Sequence, residues 1–541
     1  MKKIYGFAAL CAAMTLASCS NNDEPNVVSG NVDGEGIPGY LAVNIVNDNV
    51  TRADSGTDNG QFDFGAPEEN AVEQATFVLF NGKTRGQIIS LEPTEWTDNQ
   101  NPTNSVASTS AKVIVINRAE NQPEVTDMLT ILNAPDALKT SLASCSDLDA
   151  VMALVADYTG SDFTKSGKFV MSTAAYDNEG TKVYLNSLSG KISQSVNAAL
   201  DNPVDVYVDR NVAKVTVNGD LESEEANLGA SVAFGDATAK TPVKIAVQSV
   251  SIANKAAKSH VVKNLGNYTN TDWTKWTDPA NFRSYWAVTD LDATKEGDYV
   301  ANLSWDSYAA SSFTDVTTAY INENTNQDKL TSVMVTAQLQ KEDGSPLNLV
   351  ILLRGKKYYE AADGIEAIVN TFTSTYAYKE NNVYKSLKPD QFEWVASAKG
   401  PEYSHIALKA GQNLTLAQVT PDGRWADMTS EQLAAFNELL ASDECTALKW
   451  TNGACYYFVE IKNPSATQAG VVRNHVYNVT LTDIQGLGVP VFDPKEWPID
   501  PKDPDPEFDD HIYYTLGAQI NVLKWAKVSQ DAHFNNGNDK Y

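Results

Sequence analysis

The stretch IYYTLGAQINVLKWAKVSQD, residues 512–531, has the alternation of a β-strand. Apolar side chains recur at every second position on one face, interrupted only by Lys524: Ala518, Ile520, Val522, Ala526 and Val528. Leu523 and Trp525 are apolar exceptions on the other face. An apolar strand alone in water leaves its backbone groups unpaired, so this strand has to pair. Two alternatives stay open: it folds back on its own domain, or it is offered to another subunit.

An acidic, proline-rich run precedes this strand. Residues 493–510, DPKEWPIDPKDPDPEFDD, have a composition that does not pack a core. In polyproline II form, at about 3.1 Å per residue, the run spans roughly 50 Å. Its carboxylates offer ligands for calcium, but a solvated spacer is the favoured interpretation. We therefore assign 493–511 as a spacer and 512–541 as a C-terminal strand segment that has the reach to join a neighbour.

The start of the chain indicates export as a lipoprotein. Lys2 and Lys3 precede an apolar run, residues 4–17, that is too short for a membrane-spanning helix. The run ends in LASC, residues 16–19, a lipobox in which a signal peptidase cuts and Cys19 is acylated. An ordinary signal peptide that is cut nearby is the alternative. The signal peptide is assigned to 1–19, and acyl chains on Cys19 anchor well because each buried methylene contributes about 0.8 kcal/mol.

A short strand follows the signal. Residues 20–38 are polar and rich in Gly, Asn and Asp, which is typical of a tether. Residues 40–46, YLAVNIV, alternate, with Leu41, Val43 and Ile45 on one face. The pattern predicts a strand with one apolar face.

Arg52 and Ala53 lie in a polar loop just after that strand. An Arg in such a loop is a preferred site for a trypsin-like protease. A cut between these two residues would detach one strand, and only one, from the first domain, whereas the competing site at Arg85 follows the next strand. Residues 20–52 are therefore assigned as a propeptide that carries a removable strand.

Charge and cysteine usage exclude several classes of protein. The 541 residues carry 41 Lys and Arg against 69 Asp and Glu, a formal net charge of −28, which disfavours binding to nucleic acid and to anionic membrane surfaces. Only 5 Cys occur, so the chain is not a disulfide scaffold. Cys445 and Cys455 could bridge a hairpin, and whether they do stays open.

Short apolar runs separated by turn signals predict an all-β protein with minor helix. The predicted strands include 75–80, 112–116, 128–132, 168–172, 204–217, 243–252, 332–339, 349–353, 456–461 and 475–482. The phase of the alternation changes at 209–211, where we place a boundary. The pattern favours two β-sandwich domains, 53–211 and 212–492.

Two helices are expected. Ser146 and Asp149 could cap a helix over 148–158, and the capping box of Thr429 and Gln432 predicts a helix that runs to Leu440. The inward face of the second helix is predicted to carry Leu433, Phe436, Leu439 and Leu440.

The sequence lacks catalytic signatures. It contains no metalloprotease, serine-hydrolase, P-loop or EF-hand motif, and its five His are scattered without metal-ligand spacing. We expect no catalytic residue, no metal and no cofactor. Aromatic clusters at Trp273/Trp276, Tyr285-Trp286 and 456–458 would suit a glycan platform, but aromatics in β-sandwiches more often pack a core.

A series of motifs, taken in order, resembles the fimbrilins of Bacteroidales type V pili. They are the lipobox at 16–19, the strand at 40–46, TRA at 51–53, DRNVAKV at 209–215, GACYYF at 453–458, VRNHVY at 472–477, IQGLG at 484–488 and INVLKW at 520–525. The later motifs are similar to those of the Mfa-type major fimbrial subunit. The resemblance runs from the signal to the C-terminus and rests on the order of the motifs.

The resemblance implies a shaft subunit with two tandem transthyretin-like β-sandwich domains. Such subunits reach the outer membrane as lipoproteins, and an Arg-specific or trypsin-like protease then cuts, here after Arg52, to release the strand 40–46. The C-terminal donor strand of another copy fills the groove by donor-strand exchange, and its apolar residues here are Ala518, Ile520, Val522, Leu523, Trp525 and Val528. The implied partners are copies of the chain itself, fimbrial anchor and tip subunits, the maturing protease, and host or bacterial surface ligands.

Two other functions stay open. A tip or accessory adhesin would share the fold but would usually lack a free donor strand. A monomeric glycan-binding surface lipoprotein would keep its lipid at Cys19, stay uncut at Arg52 and form no polymer. An enzyme is the least supported class.

Overall fold

The computed structural model describes residues 27–29, 37–46, 66–91, 112–118, 124–166, 168–178, 181–219, 221, 229–266, 287–311, 316–461, 470–501, 514–524 and 528–530. Within these ranges the chain is mostly β, with a few short helices and several β-sheets. The β-rich class expected from the alternating runs is confirmed.

The strands of the described residues up to 260 are short apart from β15, and they are β1 (Val27–Ser29), β2 (Ile37–Val46), β3 (Ala75–Asn81), β4 (Thr84–Leu91), β5 (Lys112–Arg118), β6 (Asp127–Leu132), β7 (Val155–Ala156), β8 (Met171–Thr173), β9 (Tyr176–Asn178), β10 (Thr181–Val183), β11 (Asn186–Ser187), β12 (Val204–Arg210), β13 (Val212–Asn218), β14 (Gly229–Val232), β15 (Thr241–Ala253) and β16 (Ser259–His260).

The remaining strands are β17 (Val316–Asn322), β18 (Ser332–Gln340), β19 (Leu349–Leu352), β20 (Lys357–Glu360), β21 (Tyr376–Glu380), β22 (Val383–Ser386), β23 (Phe392–Ala396), β24 (Tyr403–Leu408), β25 (Thr415–Val419), β26 (Trp425–Asp427), β27 (Thr446–Trp450), β28 (Ala454–Glu460), β29 (His475–Gly486), β30 (Val489–Pro490), β31 (Tyr514–Lys524) and β32 (Val528–Gln530). The α-helices are α1 (Pro67–Asn70), α2 (Asp136–Ser144), α3 (Leu148–Met152), α4 (Val196–Leu200), α5 (Trp305–Ala309), α6 (Ala361–Asn370) and α7 (Ser430–Leu440). Short 3₁₀ helices cover Pro389–Gln391, Asp443–Cys445 and Thr451–Gly453.

Contacts divide the chain into two compact units. The first comprises 1–48, 72–150 and 184–208, and the second comprises 49–71, 151–183 and 209–541. The last change of unit therefore falls between Val208 and Asp209, beside the residues where the alternation changes phase. Residues 151–183 belong to the second unit, whereas the sequence-based limits place them in the first domain.

In the first unit, β2 lies between two neighbouring strands. It pairs antiparallel with β5, from Ile37↔Arg118 to Val43↔Lys112, and parallel with β12, from Val204↔Val43 to Tyr207↔Val46. A second ladder of the same unit has the order β6-β3-β4, and β11 pairs with β6. The strand β2 is thus an interior strand, with a partner along each edge.

In the second unit, most strands form four sheets. Their strand orders are β17-β13-β29-β31-β32, β14-β15-β18-β28-β30, β20-β19-β27-β24-β23 and β22-β21-β25-β26. The first two sheets share one hydrophobic core, to which alternate residues of β13, β18, β28 and β29 contribute: Val215, Val335, Tyr457 and Val479 are among them. Sheet-on-sheet packing of this kind explains the alternation seen in the sequence.

Helix α7 is the helix that the sequence predicts best. Its capping box forms: the Gln432 amide donates to Thr429 Oγ1 at 3.3 Å, and the Thr429 amide donates to Gln432 Oε1 at 2.9 Å. Phe436 and Leu440 are buried as predicted, but Leu433 is 40% exposed, so its assignment to the inward face was wrong. Leu433 lies in the first turn of α7, at the end away from the buried Leu440.

The helix predicted over 148–158 is shorter in the structure. It ends at Met152, because Val155–Ala156 pair as a strand with Ser259–His260. The capping residue also differs from the predicted one. The Ala150 amide donates to Asp147 Oδ1 at 2.9 Å, so Asp147 and not Ser146 caps the helix. The β-branched Val155 favours the strand over a further helical turn.

The first part of the predicted spacer packs against the second unit, which corrects its assignment as a wholly solvated run. Ile499 is 3% exposed, and its amide donates to the Leu303 carbonyl at 2.9 Å. The Pro501 carbonyl accepts from Asn254 Nδ2 at 3.0 Å. The average composition of 493–510 hid the apolar Ile499, which belongs to a buried hydrophobic cluster of the second unit. Residues 502–510 lie outside the described residues.

Replacement of the α7 cap tests the local energetics. Thr429→Ala removes the acceptor of the Gln432 amide and is expected to lower the free energy of unfolding by about 1 kcal/mol. Urea denaturation followed by circular dichroism measures the change. Ser430→Ala, at the next and exposed position, is the matched control and should leave the midpoint unchanged; equal effects of the two would contradict the capping interpretation.

Candidate functional site

The position of β2 is the first part of the candidate site. Leu41, Ala42 and Val43 are successive residues, yet their exposed fractions are 0%, 0% and 1%. Successive side chains of a strand point to opposite faces, so both faces of β2 are covered here, not only the predicted one. The Tyr40 amide also donates to the Ser193 carbonyl at 2.8 Å. Loss of β2 would open a gap with two unpaired strand edges and an apolar lining.

Several predicted residues lie outside the described residues: Cys19, Arg52, Ala53 and Trp525. The backbone of Ile45 is described, and it pairs with Val206 of β12. Lipidation of Cys19 and the cut after Arg52 therefore stay predictions.

The C-terminal strand is paired within its own unit. β31 runs antiparallel to β29, from His475↔Lys524 to Gly486↔Tyr514. Ala518, Ile520, Val522 and Leu523 all lie within this pairing, and Val528 of β32 pairs back onto Val522. Of the two alternatives for this strand, the folded-back one is the arrangement that this chain adopts alone. A donor role requires β31 to leave β29.

The cysteine bridge left open by the sequence is not formed. Cys445 and Cys455 are free, buried thiols that belong to different hydrophobic clusters. Burial raises the pKa of Cys445 to about 12 and also raises the pKa of Cys455, so neither thiol is poised to react. The Cys455 thiol contacts the Ala337 carbonyl at 3.3 Å. Both cysteines act as core residues.

One of the three aromatic clusters resolves into packing, and the other two, Trp273/Trp276 and Tyr285-Trp286, lie outside the described residues. Tyr456 and Tyr457 are buried, so the cluster 456–458 is core and not a glycan platform. Across the part of the chain that the structure describes, no group of three His, Cys, Asp or Glu side chains could hold a metal ion. Among the same residues, no helix is long and apolar enough to cross a membrane.

The motifs DRNVAKV and VRNHVY, which are far apart in sequence, meet in the second unit. Lys214 of β13 is paired in parallel register with Val476 of β29. Asn474, just before β29, donates to Asp209 Oδ1 at 2.9 Å and accepts from Arg210 Nη1 at 3.1 Å. Its φ of 57° places it in the left-handed region, which Asn tolerates well. One amide side chain thus joins the starts of both motifs.

Two buried ion pairs flank this amide. Lys263 Nζ lies 3.0 Å from Asp209 Oδ2, and each side chain is 2% exposed. Arg473 Nη2 lies 3.2 Å from Glu323 Oε1, and both side chains are 0% exposed. Arg473 also donates to the carbonyls of His260 and Val261, at 2.6 and 3.2 Å, which satisfies its guanidinium. Charges buried this deeply persist only when they are paired and hydrogen-bonded.

Glu69 of α1 joins the same region of the second unit. Its carboxylate accepts from Lys214 Nζ at 2.8 Å, from the Ala66 amide at 2.9 Å and from the Tyr320 hydroxyl. Its backbone carbonyl accepts from Arg210 Nε at 2.8 Å. Burial works to raise the pKa of Glu69, but the hydrogen bonds from Lys214, Tyr320 and Ala66 outweigh burial and hold the pKa below its ordinary value.

Sequence reasoning found the two motifs but not the network that they form. Glu69 and Glu323 are each one acid among 69, and nothing in the local pattern marks them.

The requirement for glycine at Gly453 is visible only in three dimensions. Its φ is 75°, and a Cβ there would collide with the carbonyl oxygen of Leu339. Only glycine fits that turn.

Comparison with known proteins supports the resemblance stated from the motifs. Residues 448–531 match the family described as "Major fimbrial subunit protein type IV, Fimbrillin, C-terminal". The matched segment includes β28, β29, β31 and β32, hence the VRNHVY motif and the folded-back strand. The predicted resemblance to the fimbrilins is confirmed over this segment. No curated protein matches the chain.

Solved structures also resemble the chain at low identity. A fimbrilin (FimA) from Porphyromonas gingivalis W83 is 13% identical, with 94% of this chain and 99% of that chain covered and a TM-score of 0.35. The tip fimbrial protein Mfa3 from Porphyromonas gingivalis is 11% identical, with 90% and 100% covered and a TM-score of 0.31. A protein described as a cell adhesion protein from Parabacteroides distasonis ATCC 8503 is 12% identical, with 91% and 98% covered and a TM-score of 0.38.

The buried pair of Arg473 and Glu323 gives a testable cost. Glu323→Gln or Arg473→Met leaves one charge buried without its counter-charge, which is expected to destabilise the fold by about 3–5 kcal/mol. The double variant should cost far less than the sum of the two, because it leaves no orphan charge. Urea unfolding of all four proteins measures the cycle. The exposed pair Lys385–Glu380 is the control, and removal of either partner there should change nothing measurable. Additive costs at Arg473 and Glu323 would contradict the coupling.

The lowered pKa of Glu69 predicts a pH dependence. A carboxyl group whose pKa is depressed by folding stabilises the fold fully above its unfolded value, ordinarily 4.5, and this stabilisation is lost as the pH falls through the lower folded value. The stability difference between wild type and Glu69→Gln should therefore be largest above pH 4.5 and shrink below it. Urea midpoints across this range measure it. Glu68→Gln is the control because Glu68 is exposed, and a pH-independent difference for Glu69→Gln would contradict the ion-pair assignment.

Proposed function

We propose, from the match of residues 448–531 to the fimbrillin C-terminal family, that the protein is a structural subunit of a cell-surface fimbria that polymerises by strand exchange. It is exported as a lipoprotein on Cys19 and is cut after Arg52. The cut releases β2, and the C-terminal strand of a second copy takes the vacated position. The two-sandwich, transthyretin-like architecture implied by the motifs is part of this proposal.

The observation that carries the proposal is the position of β2. It is an interior strand with both faces buried at Leu41–Val43, and it is also the last described strand before Arg52. A single cut after Arg52 therefore separates this interior strand from the rest of the chain. The three-residue β1, which pairs with β5, also precedes Arg52 and leaves with it, so the cut detaches two strands and not the single strand expected from the sequence. The resulting gap offers a new strand main-chain partners on both sides, and filling it regains about 25 cal/mol per Å² of apolar surface buried.

The segment proposed as donor already forms a β-strand in the isolated chain. β31 has 11 residues and pairs along its length with β29, so its backbone readily adopts the extended form. β2 has 10 residues, which matches that length. Exchange replaces β29 on one edge and the three-residue β32 on the other by two partners, β5 and β12.

A second function is favoured by a different observation. Because β31 pairs with β29 of the same chain, a monomeric surface lipoprotein that keeps its own terminal strand is the competing proposal. The tip or accessory adhesin of a fimbria is an intermediate case, which accepts a strand but donates none. A shaft subunit is our first choice because the chain carries both a removable strand and a terminal strand.

Assembly is the direct test. The chain from Ser20 onward, treated with a low dose of trypsin and run unheated in SDS, should give a ladder of polymers with a new N-terminus at Ala53. The same chain ending at Asp510 and the variant Arg52→Gln should both stay monomeric, the first for lack of a donor and the second for lack of a vacant position.

Other outcomes separate the candidates. A ladder from the chain ending at Asp510 would show that the donor strand is a segment other than the C-terminal one. A compact monomer from all three proteins would contradict strand exchange and favour the surface lipoprotein. A ladder that forms only when a second, tail-bearing subunit is added would indicate a tip role.

A further inference from the structure

Glu69 occupies a special place along the chain. It lies between Arg52, where the proposed cut falls, and β3, which begins at Ala75. The segment 49–71 belongs to the second unit, whereas the chain from Val72 belongs to the first. The contacts of Glu69 therefore fix the chain to the second unit just before it enters the first unit at Val72.

The hold on Glu69 is built from three elements of the second unit. Lys214 comes from β13, Tyr320 from β17, and Arg210 from the end of β12 that lies past residue 208. They bind both the carboxylate and the backbone carbonyl of the same residue. Glu69 is 1% exposed, although α1 is only four residues long and its neighbour Glu68 is exposed.

Such an attachment resists local opening. When the segment detaches, the carboxylate loses its charged partner Lys214 and its hydroxyl donor Tyr320, and the backbone carbonyl loses Arg210. The Ala66 amide belongs to the same segment and moves with Glu69. Charge-assisted hydrogen bonds are the strong ones. Chain ends otherwise fray, and fraying spreads inward until a well-held residue stops it. A newly cut chain needs such a stop, since no strand lies between Arg52 and β3 among the described residues.

We propose that Glu69 is a retention anchor for the processed chain, an inference that rests on the proposed cut after Arg52. The anchor divides the cut chain into a part that leaves and a part that stays. Residues up to Arg52 depart with β2, and fraying of the new N-terminus stops at Glu69. The start of β3, a strand held along its length by β4 and β6, then does not fray when β2 is gone.

The sequence offers a sharp assay for this anchor. Aromatic cleavage sites lie before it at Phe62 and Phe64 and after it at Phe77 in β3, and no Phe, Tyr, Trp, Leu or Met lies between 64 and 77. Chymotrypsin thus reports how far the N-terminal end is accessible. The full chain from Ser20 onward is treated with trypsin, then with chymotrypsin, and the N-terminus is identified by intact mass and terminal sequencing.

The wild type is expected to settle with Gly65 at its N-terminus, whereas Glu69→Gln should proceed to Val78. Deuterium uptake by residues 66–76 of the cut chain should become at least about tenfold faster in Glu69→Gln. Glu68→Gln, one residue away and exposed, should behave as wild type. Tyr320→Phe removes one donor while it keeps the ring against Phe169, so it gives a milder change if Glu69→Gln does not fold.

A Glu69→Gln or Tyr320→Phe chain that keeps Gly65 as its N-terminus, with wild-type deuterium uptake, would overturn the anchor. These readouts need no polymer, so they are independent of the ladder that tests strand exchange. If trypsin leaves Arg52 intact, the proposed maturation fails, but chymotrypsin at Phe62 or Phe64 cuts the same connection and still tests Glu69. Resistance of both phenylalanines in the wild type would also count against the anchor, because no loose end would then exist.

Discussion

The buried polar network around Asn474 is the constraint on which the second unit depends. Asp209, Arg210 and Arg473 are charged residues in a region where charge is costly, and each is held by specific partners. Apolar packing tolerates many rearrangements, but a buried ion pair tolerates only the one that satisfies it. The network therefore selects the parallel pairing of β13 with β29, which brings residues near 214 beside residues near 476. A parallel contact of such long sequence separation needs a specific device, because no turn can enforce it.

That pairing also defines what the terminal strand can do. With β13 fixed on one edge of β29, the other edge is available, and β31 takes it. The strand then has β29 on one side and only the three-residue β32 on the other. In the position of β2 it would have β5 and β12 on its two sides. In the exchange that we propose, the number of paired edges favours transfer of the strand from the folded-back position to the vacated one, once β2 has been removed.

Sequence reasoning reached the elements that depend on local pattern. Helix α7 starts where Thr429 and Gln432 predict, and the break at Asn211 between β12 and β13 falls where the alternation changes phase. It failed where a distant partner decides, as at Val155, which pairs with β16 instead of continuing a helix. It also failed for Ile499, because a proline-rich composition says nothing about one well-placed apolar side chain. The role of Glu69 could not be predicted from the sequence either, because its partners Lys214 and Tyr320 are more than a hundred residues away.

The packing of Ile499 and Pro501 changes the geometry of any strand transfer. A spacer free from residue 493 would reach roughly 50 Å, but a chain held at Pro501 starts its reach only there. In polyproline II form, residues 502–513 would extend about 37 Å before β31 begins. The vacated position on a neighbour then has to lie within that distance of Pro501. A shorter, fixed-origin tether raises the effective concentration of the strand at one acceptor and lowers it at others. In the proposed exchange, the buried Ile499 therefore limits which neighbour the strand can reach, a role that the acidic residues after it cannot supply.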